Sequence, residues 1–329
     1  MWFEQAFEQA TVLALAAGLD FALGDPWGWP HPVQAMGLII QFYSRWALKL
    51  IASPRLQRLA GVLLAISLIV GSGLVSWGLI WAAKALHPIL GWGLEGVLLA
   101  SCFAGRSLRR AAQDVLVPLQ AGDLAQARSR LSLYVGRDTA DLSEAEVLRA
   151  VFETVTENAT DGVLAPLFYA LVGSVLPVVG CVPLALAYKA ASTLDSMVGY
   201  REAPYTNLGW FSARLEDGLT WVPCRLVVGT IAVLSKQPRH VWRVCQRDAI
   251  ADPSPNAGWS ECAYAAALGV QVGGPNRYQG IIKIKPILGD ALHPITPDRI
   301  QQAMQLTRWA FLIWLCFAII GLVGMGLLH

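Results

Sequence analysis

The chain has 329 residues, 55% of them hydrophobic and only 15% charged, whereas soluble domains carry about 25% charged residues. Such a composition describes a polytopic membrane protein, and a formal net charge of +2 gives no basic field of the kind nucleic-acid partners need. Six scattered cysteines without a C-x-x-C pair read as small buried hydrophobes, and five histidines without H-x-x-x-H spacing argue against a zinc site.

The N-terminal MWFEQAFEQA lacks the basic n-region of a cleavable signal, so it is expected to be retained. The first apolar stretch, 10–24, is short and contains Asp20; Gly24-Asp25-Pro26 and Pro30-His31-Pro32 then form a rigid loop, which makes Asp25 and His31 candidates for a site. Residues 59–83 and 309–328 are uncharged and long enough to cross hydrocarbon, and 85–105 carries only Glu95. The 106–161 segment is expected to be helical, broken at Gly122-Asp123, with a helix starting near Asp141-Leu142-Ser143-Glu144 and running through Glu153. Residues 162–188 are uncharged but interrupted by Pro166, Gly173, Pro177, Gly180 and Pro183, a pattern that suits a broken helical hairpin better than one rod. The 218–235 stretch is apolar apart from Arg225 and reads as a span or an interfacial segment. The 236–308 segment reads as irregular, rich in Pro and Gly, with short Val/Ile-rich stretches near Ile281–Ile284. We therefore expect an all-α polytopic integral membrane protein. It would form a single membrane-embedded domain over 1–329, with about four full transmembrane helices and a Pro/Gly-broken hairpin, a cytoplasmic helical segment (106–161) and a cytoplasmic loop-rich segment (236–308).

Basic residues mark the cytoplasmic side. Arg45, Lys49, Arg55 and Arg58 place the first loop inside, and seven arginines do the same for 106–161. Nine Lys/Arg against five acids place 236–308 inside as well. This fits if 162–188 returns to its starting side and 218–235 does not cross; two crossings would fit equally. A returning hairpin would carry Asp161 back toward Lys189 and Asp195.

Glu146, Glu153, Glu157 and Asp161 fall on one arc of a helix, with Thr160 among them and Asn158 beside them. A solvated acidic face is the plain reading. Because these acids run into an apolar segment, they suit Mg²⁺ instead, which takes oxygen ligands and keeps waters while bridging a nucleotide. Lys189 and Asp195 flank the exit of the apolar run, as a snorkelling lysine or as a phosphate contact with a metal ligand or base. Arg214 and Asp217 form a charged knot, and the guanidinium of Arg225, at membrane depth, suits phosphate or carboxylate. The loops around Asn256-Gly258 and Gly273-Gly274 have turn chemistry, and neither G-x-x-x-x-G-K-[ST] nor G-x-G-x-x-G is present. Charges at the edges and the lack of a repeat favour an enzyme over a transporter.

Taken together, LDfaLGDPwgwPHPVqamG (19–37), VGRDTadLs (135–143), EtvtENatDGvlAPLFYAL (153–171), aYKaasTLDSMVGY (187–200), GWfSARLeD (209–217), SPNAGWsE (254–261) and GVqvGGpNrYqG (269–280) resemble the CobD/CbiB family of cobalamin biosynthesis, adenosylcobinamide-phosphate synthase. The chain departs from the pattern at Ser192-Thr193, where Asn-Thr is common, and at Gly173-Ser174. The resemblance implies an inner-membrane, multi-pass ligase facing the cytoplasm. It would join adenosylcobyric acid to (R)-1-amino-2-propanol O-2-phosphate, or to aminopropanol, with ATP and Mg²⁺, giving adenosylcobinamide phosphate. The partners implied are these substrates, the lipid bilayer and other cobalamin-biosynthesis membrane enzymes, with no nucleic acid. A non-catalytic membrane sensor and a corrinoid transporter are the other readings. On the ligase reading, Glu153, Glu157 and Asp161 hold the metal, with Asn158 beside it; Lys189, Arg214 and Arg225 steady phosphates, oriented by Asp217; and Asp195 is a further ligand or base. Asp25, His31, Asn256, Gly258, Gly273, Gly274 and Tyr278 would line the substrate pocket.

Overall fold

The computed structural model describes residues 2–24, 31–176, 178–200 and 202–328; Asp25 lies outside them. The chain folds as two compact units, one of Met1–Ala104, Ala165–Thr220 and Ile313–His329, the other of Gly105–Leu164 and Trp221–Leu312.

The first unit is helical: α1 (Trp2–Ala22), α2 (Pro32–Leu50), α3 (Pro54–Leu86), α4 (Pro88–Ala100), the pair α8 (Ala165–Val175) and α9 (Cys181–Val198), and parts of α10 (Trp210–Leu234) and α13 (Pro297–Leu328). Three of these helices begin with proline, whose fixed φ and missing N–H suit the first helical position. The preceding residue caps two of them: His31 Nδ1 accepts from Val33 N and His87 Nδ1 from Ile89 N, both at 3.2 Å. On α3, Ala60, Leu64 and Leu68 face inward while Leu59, Leu63, Ile66 and Val70 are exposed, an arrangement that needs lipid rather than water on the outer side. Helices α8 and α9 pack on one another as the expected hairpin. Their close approach depends on Gly173, where a Cβ would collide with the Gly180 carbonyl.

The second unit holds α5 (Gly105–Gln120), α6 (Leu124–Leu131), α7 (Glu144–Asn158), a π-helical segment (Ala159–Leu164), α11 (Pro238–Asp248), α12 (Ala257–Leu268), an antiparallel hairpin of β1 (Val272–Tyr278) and β2 (Ile281–Leu288), and the remainder of α10 and α13. Helix α7 starts where its sequence signal lies: Ser143 and Glu146 form a reciprocal capping box. Helix α12, rich in alanine and buried on most of its surface, packs against α7, α11 and both strands.

Among the described residues, four helices are long and apolar enough to cross a membrane: Pro54–Leu86, Pro88–Gln120, Trp210–Leu234 and Pro297–Leu327. Residues 218–235, read as a span or an interfacial segment, lie in a single helix long and apolar enough to cross, whereas α1, which holds the short first apolar stretch, is not among the four. The Arg225 guanidinium within this helix is shielded, lying over the rings of Trp221 and Trp259 at 5.1 and 4.3 Å and donating to the Pro255 carbonyl at 2.8 Å. The 236–308 segment is also more ordered than its Pro and Gly content suggested. Its glycines Gly273 and Gly274 adopt φ of +90° and +89° inside β1, where the strand register shifts.

Candidate functional site

The second unit gathers buried charge around α7, α12 and the hairpin. Glu153, 1% exposed, accepts from Arg137 Nη2, from Arg149 Nη1 at 3.2 Å and from Gly273 N at 2.9 Å. Both arginines also donate to Asn276 Oδ1, Arg137 Nη1 at 2.9 Å and Arg149 Nη2 at 3.0 Å, and Arg149 reaches the carbonyls of Gly273 and Pro275. The loop before α7 grips the other end of the hairpin: Asp138 accepts from Gln279 N at 3.0 Å and Gly280 N at 2.8 Å. Helix α7 and the hairpin are thus stitched together by charge-assisted bonds, the strong kind.

Beside this knot lies a group richer in acid. Lys285 on β2 donates to Glu261 Oε1 at 3.3 Å; Glu261 on α12 is 1% exposed and its Oε2 is buried without a hydrogen-bond partner. Burial pushes the Glu261 carboxyl up to about 8, against the opposing pull of Lys285 and reinforced by Glu157, Glu153 and Asp252. Burial likewise raises Glu157. Desolvation would lower Lys285, but Glu261, Glu157, Glu153 and Asp252 outweigh it and hold the ammonium firmly protonated. The side-chain amide of Asn276 is a second orphan: Oδ1 serves two guanidiniums while Nδ2 is buried and unpaired. A buried acceptor and a buried donor without partners are costly in a finished fold. They mark the group as one that accepts a polar ligand.

The π segment widens the helix where α7 ends. Ser260 Oγ donates to the Thr156 carbonyl at 2.6 Å and meets Thr160 Oγ1 at 2.8 Å, fixing α12 against the π turn that carries Asp161. Such π segments are frequent at functional sites.

The sequence candidates divide between the units. Glu153, Glu157, Asn158, Asp161, Arg225, Asn256, Gly258, Gly273, Gly274 and Tyr278 belong to the second; His31, Lys189, Asp195, Arg214 and Asp217 belong to the first. Of the second set, Glu153 and Gly273 meet directly, and Glu157 shares the electrostatics of Glu261 and Lys285. Asn158 is exposed and donates to the Thr154 carbonyl of its own helix at 2.9 Å. Asn256 Oδ1 lies 3.3 Å from Arg225, and the Tyr278 ring lies 5.5 Å from Lys283 Nζ. A Cβ on Gly258 would meet Asp252, so this glycine keeps that acid close to α12. In the first unit His31 caps α2, Arg214 is exposed, and Lys189 and Asp195 sit half-buried on α9. That unit has a separate buried group in which Tyr188 OH meets Thr220 Oγ1 at 2.8 Å and Thr220 donates to Glu216.

Sequence reasoning passed over Arg137, Asn276, Glu261 and Lys285. The first three stood inside quoted motifs, and Lys285 was one of two lysines in an isoleucine-rich strand. Among the described residues no three or more His, Cys, Asp or Glu gather as a metal centre. The oxygens of Glu153 are already occupied by donors, which leaves Glu157, Asp161 and Glu261 as the candidate carboxylates for a cation. One or two carboxylates are what Mg²⁺ commonly takes from a protein when phosphates supply the rest. The six cysteines are free thiols, and all but Cys316 are buried.

Helices long and apolar enough to span a bilayer define a membrane protein, and its second unit buries an acid-rich polar group. The model of the CobD/Cbib protein family matches residues 13–307. Relatives named cobalamin biosynthesis protein CobD occur in Synechocystis sp., 52% identical over 92% of this chain and 88% of that protein, and in Pelobacter propionicus, 40% identical over 97% and 96%. One named cobalamin biosynthesis protein CbiB, from Salmonella arizonae, is 42% identical over 90% and 92%. The chain belongs to the CobD/CbiB family. No solved structure matches it.

Proposed function

We propose that this protein acts in cobalamin biosynthesis as an ATP-dependent amide-forming ligase. It would join adenosylcobyric acid to (R)-1-amino-2-propanol O-2-phosphate, or to aminopropanol, at a site facing the cytoplasm from the cell membrane. The observation that carries this reading is buried Glu261 paired with half-buried Lys285, with Glu157 in the same electrostatic group, in a chain whose relatives bear cobalamin-biosynthesis names.

A carboxylate and an ammonium do not condense at neutral pH; ATP with Mg²⁺ supplies the phosphoryl chemistry that makes a carboxylate oxygen a leaving group. The protein must then hold phosphate charge, take a proton from the incoming ammonium and exclude water. Lys285, kept cationic by its acidic neighbours, is suited to phosphate oxygens. Of the candidate carboxylates, Glu157 and Glu261 share one electrostatic group and would hold Mg²⁺. Glu261, with a carboxyl near 8 and a free Oε2, would give up its proton on taking the cation. Glu153 positions Gly273 and the two arginines instead of meeting substrate.

Purified protein with ATP, Mg²⁺, adenosylcobyric acid and aminopropanol phosphate should give the amide by mass spectrometry, with phosphate release. Well-folded protein that yields neither with authentic substrates defeats the reading, and Glu157→Ala at full activity defeats the metal assignment.

A further inference from the structure

Helix α11 carries a basic face that the charged group above does not use. It begins at Pro238, four residues after α10 ends at Leu234, and α10 is long and apolar enough to cross a membrane. The link is folded back on α10 by bonds from Ser235 N to the Ile231 carbonyl and from Gln237 N to the Ala232 carbonyl. The start of α11 is therefore closer to that helix end than the roughly 14 Å an extended link would allow. That distance is comparable with the Debye length of about 8 Å at physiological salt.

One side of α11 packs on α12 through Val241, Val244 and Cys245. On the opposite side Arg239, Arg243 and Gln246 are exposed and share an arc of about 60°. Lys236 is exposed just before the helix, and Ile250, 72% exposed, continues the line after it. Trp242, 42% exposed, edges the strip and is tied back toward α10: its ring lies 5.6 Å from Trp259, which stacks on Arg225, which in turn lies over Trp221. The acid on this helix, Asp248, is engaged by Arg247, so no carboxylate offsets the strip.

We propose that this face rests on the anionic headgroup surface of the bilayer, with Lys236, Arg239 and Arg243 against lipid phosphates and Trp242 and Ile250 reaching into the interface. Cations alone would suit any anion. Cations interleaved with an exposed indole and an exposed isoleucine, on a helix that directly follows a membrane-length helix, suit a lipid surface. A nucleotide would require donors that converge in a concavity, and these line a convex helix face.

The test uses the full chain in nanodiscs of phosphatidylcholine, with or without phosphatidylglycerol, whose acyl chains are brominated. The difference between wild type and Trp242→Phe isolates quenching of this one indole. We expect Trp242 to be quenched, more strongly with phosphatidylglycerol and less at high salt. The gain from phosphatidylglycerol should be lost in Lys236→Gln/Arg239→Gln/Arg243→Gln. Absence of Trp242 quenching overturns the proposal, and so does quenching indifferent to phosphatidylglycerol. The wild-type comparison decides alone should the triple variant fail to fold.

Discussion

Glu153 separates a structural carboxylate from a ligand-holding one, and its replacement by glutamine tells the two apart. The carboxylate is 1% exposed and receives three donors, two of them from guanidiniums that are themselves mostly buried. Glutamine keeps one acceptor oxygen, enough for Gly273 N, but loses the charge and turns its second oxygen into a donor facing Arg137 or Arg149. Removing one partner from a buried ion pair costs about 3–5 kcal/mol, because the other charge is left uncompensated. A buried thiol reports that loss without reference to activity. Cys262 is fully buried on α12, which packs against α7, so its labelling by a maleimide requires opening of this unit. The wild-type labelling rate of Cys262 sets the baseline. At about 1.4 kcal/mol per tenfold change, Glu153→Gln should label Cys262 about two to nearly four orders of magnitude faster. Adding Arg137→Met removes the stranded guanidinium and should recover part of the loss. Cys262 labelling at the wild-type rate in Glu153→Gln would refute the structural assignment.

The remaining predictions concern the acid-rich group and the hairpin. Because the folded-state carboxyl of Glu261 lies near 8, above its free value, the folded chain holds a proton that the unfolded chain has released. The associated stability is complete below about pH 4.5 and is lost as pH rises through about 8, by a few kcal/mol. Glu261→Gln should flatten the fall in melting temperature between pH 5.5 and 8.5; an unchanged fall places the titration elsewhere. Mg²⁺ added at pH 7 should release protons from wild type, since a cation at Glu261 favours its ionised form, and Glu261→Gln should abolish that release in an unbuffered titration. Gly273→Ala combines φ of +90° with a collision against the Pro286 carbonyl and should cost clearly more than Gly280→Ala, where φ is +82° but the space is open. The second variant costs about 1 kcal/mol, the strain of φ alone, and equal melting temperatures for the pair would contradict the packing argument.

What the sequence made legible was local or periodic. Ser143 and Glu146 announce α7 through a capping box, Gly122 and Asp123 stop and restart the chain between α5 and α6, and the prolines and glycines of 162–188 make a hairpin. Each depends on residues within one or two turns of each other. The spacing of Glu153, Glu157 and Asp161 was also readable, but what each acid meets was not. The donors to Glu153 arrive from 16 residues before it, from the i−4 position and from 120 residues beyond, and only Arg149 was visible from spacing. Glu261 hid in an alanine-rich helix with no acidic periodicity, and Lys285 in a strand that read as turn-rich and irregular. The partners of Arg225 were equally hidden, because two indoles and a carbonyl from a distant loop surround its guanidinium.

The balance of charge explains why the two halves of the buried cluster serve different ends. At Glu153, one carboxylate meets two guanidiniums, an excess of positive charge spread over the neutral acceptors Asn276 Oδ1 and the hairpin carbonyls. Such a knot is complete and gains nothing from a further cation. At Lys285 the ratio is reversed: one ammonium faces Glu261, with Glu157 and Asp252 adding negative charge nearby. Burying a carboxylate beyond what its partner can neutralise forces either protonation or the capture of a cation. The Glu261 carboxyl, raised to about 8, takes protonation as its resting answer near neutral pH, and burial raises Glu157 in the same direction. On the proposed ligase reading, a substrate that brings an ammonium or a Mg-bound phosphate would supply the other answer. The arginine knot grips β1, and β1 pairs with β2, so Lys285, opposite Gly274 in the register, keeps its reach into the acids. Rigidity on one side and unsatisfied charge on the other are the two properties that a preorganised site requires.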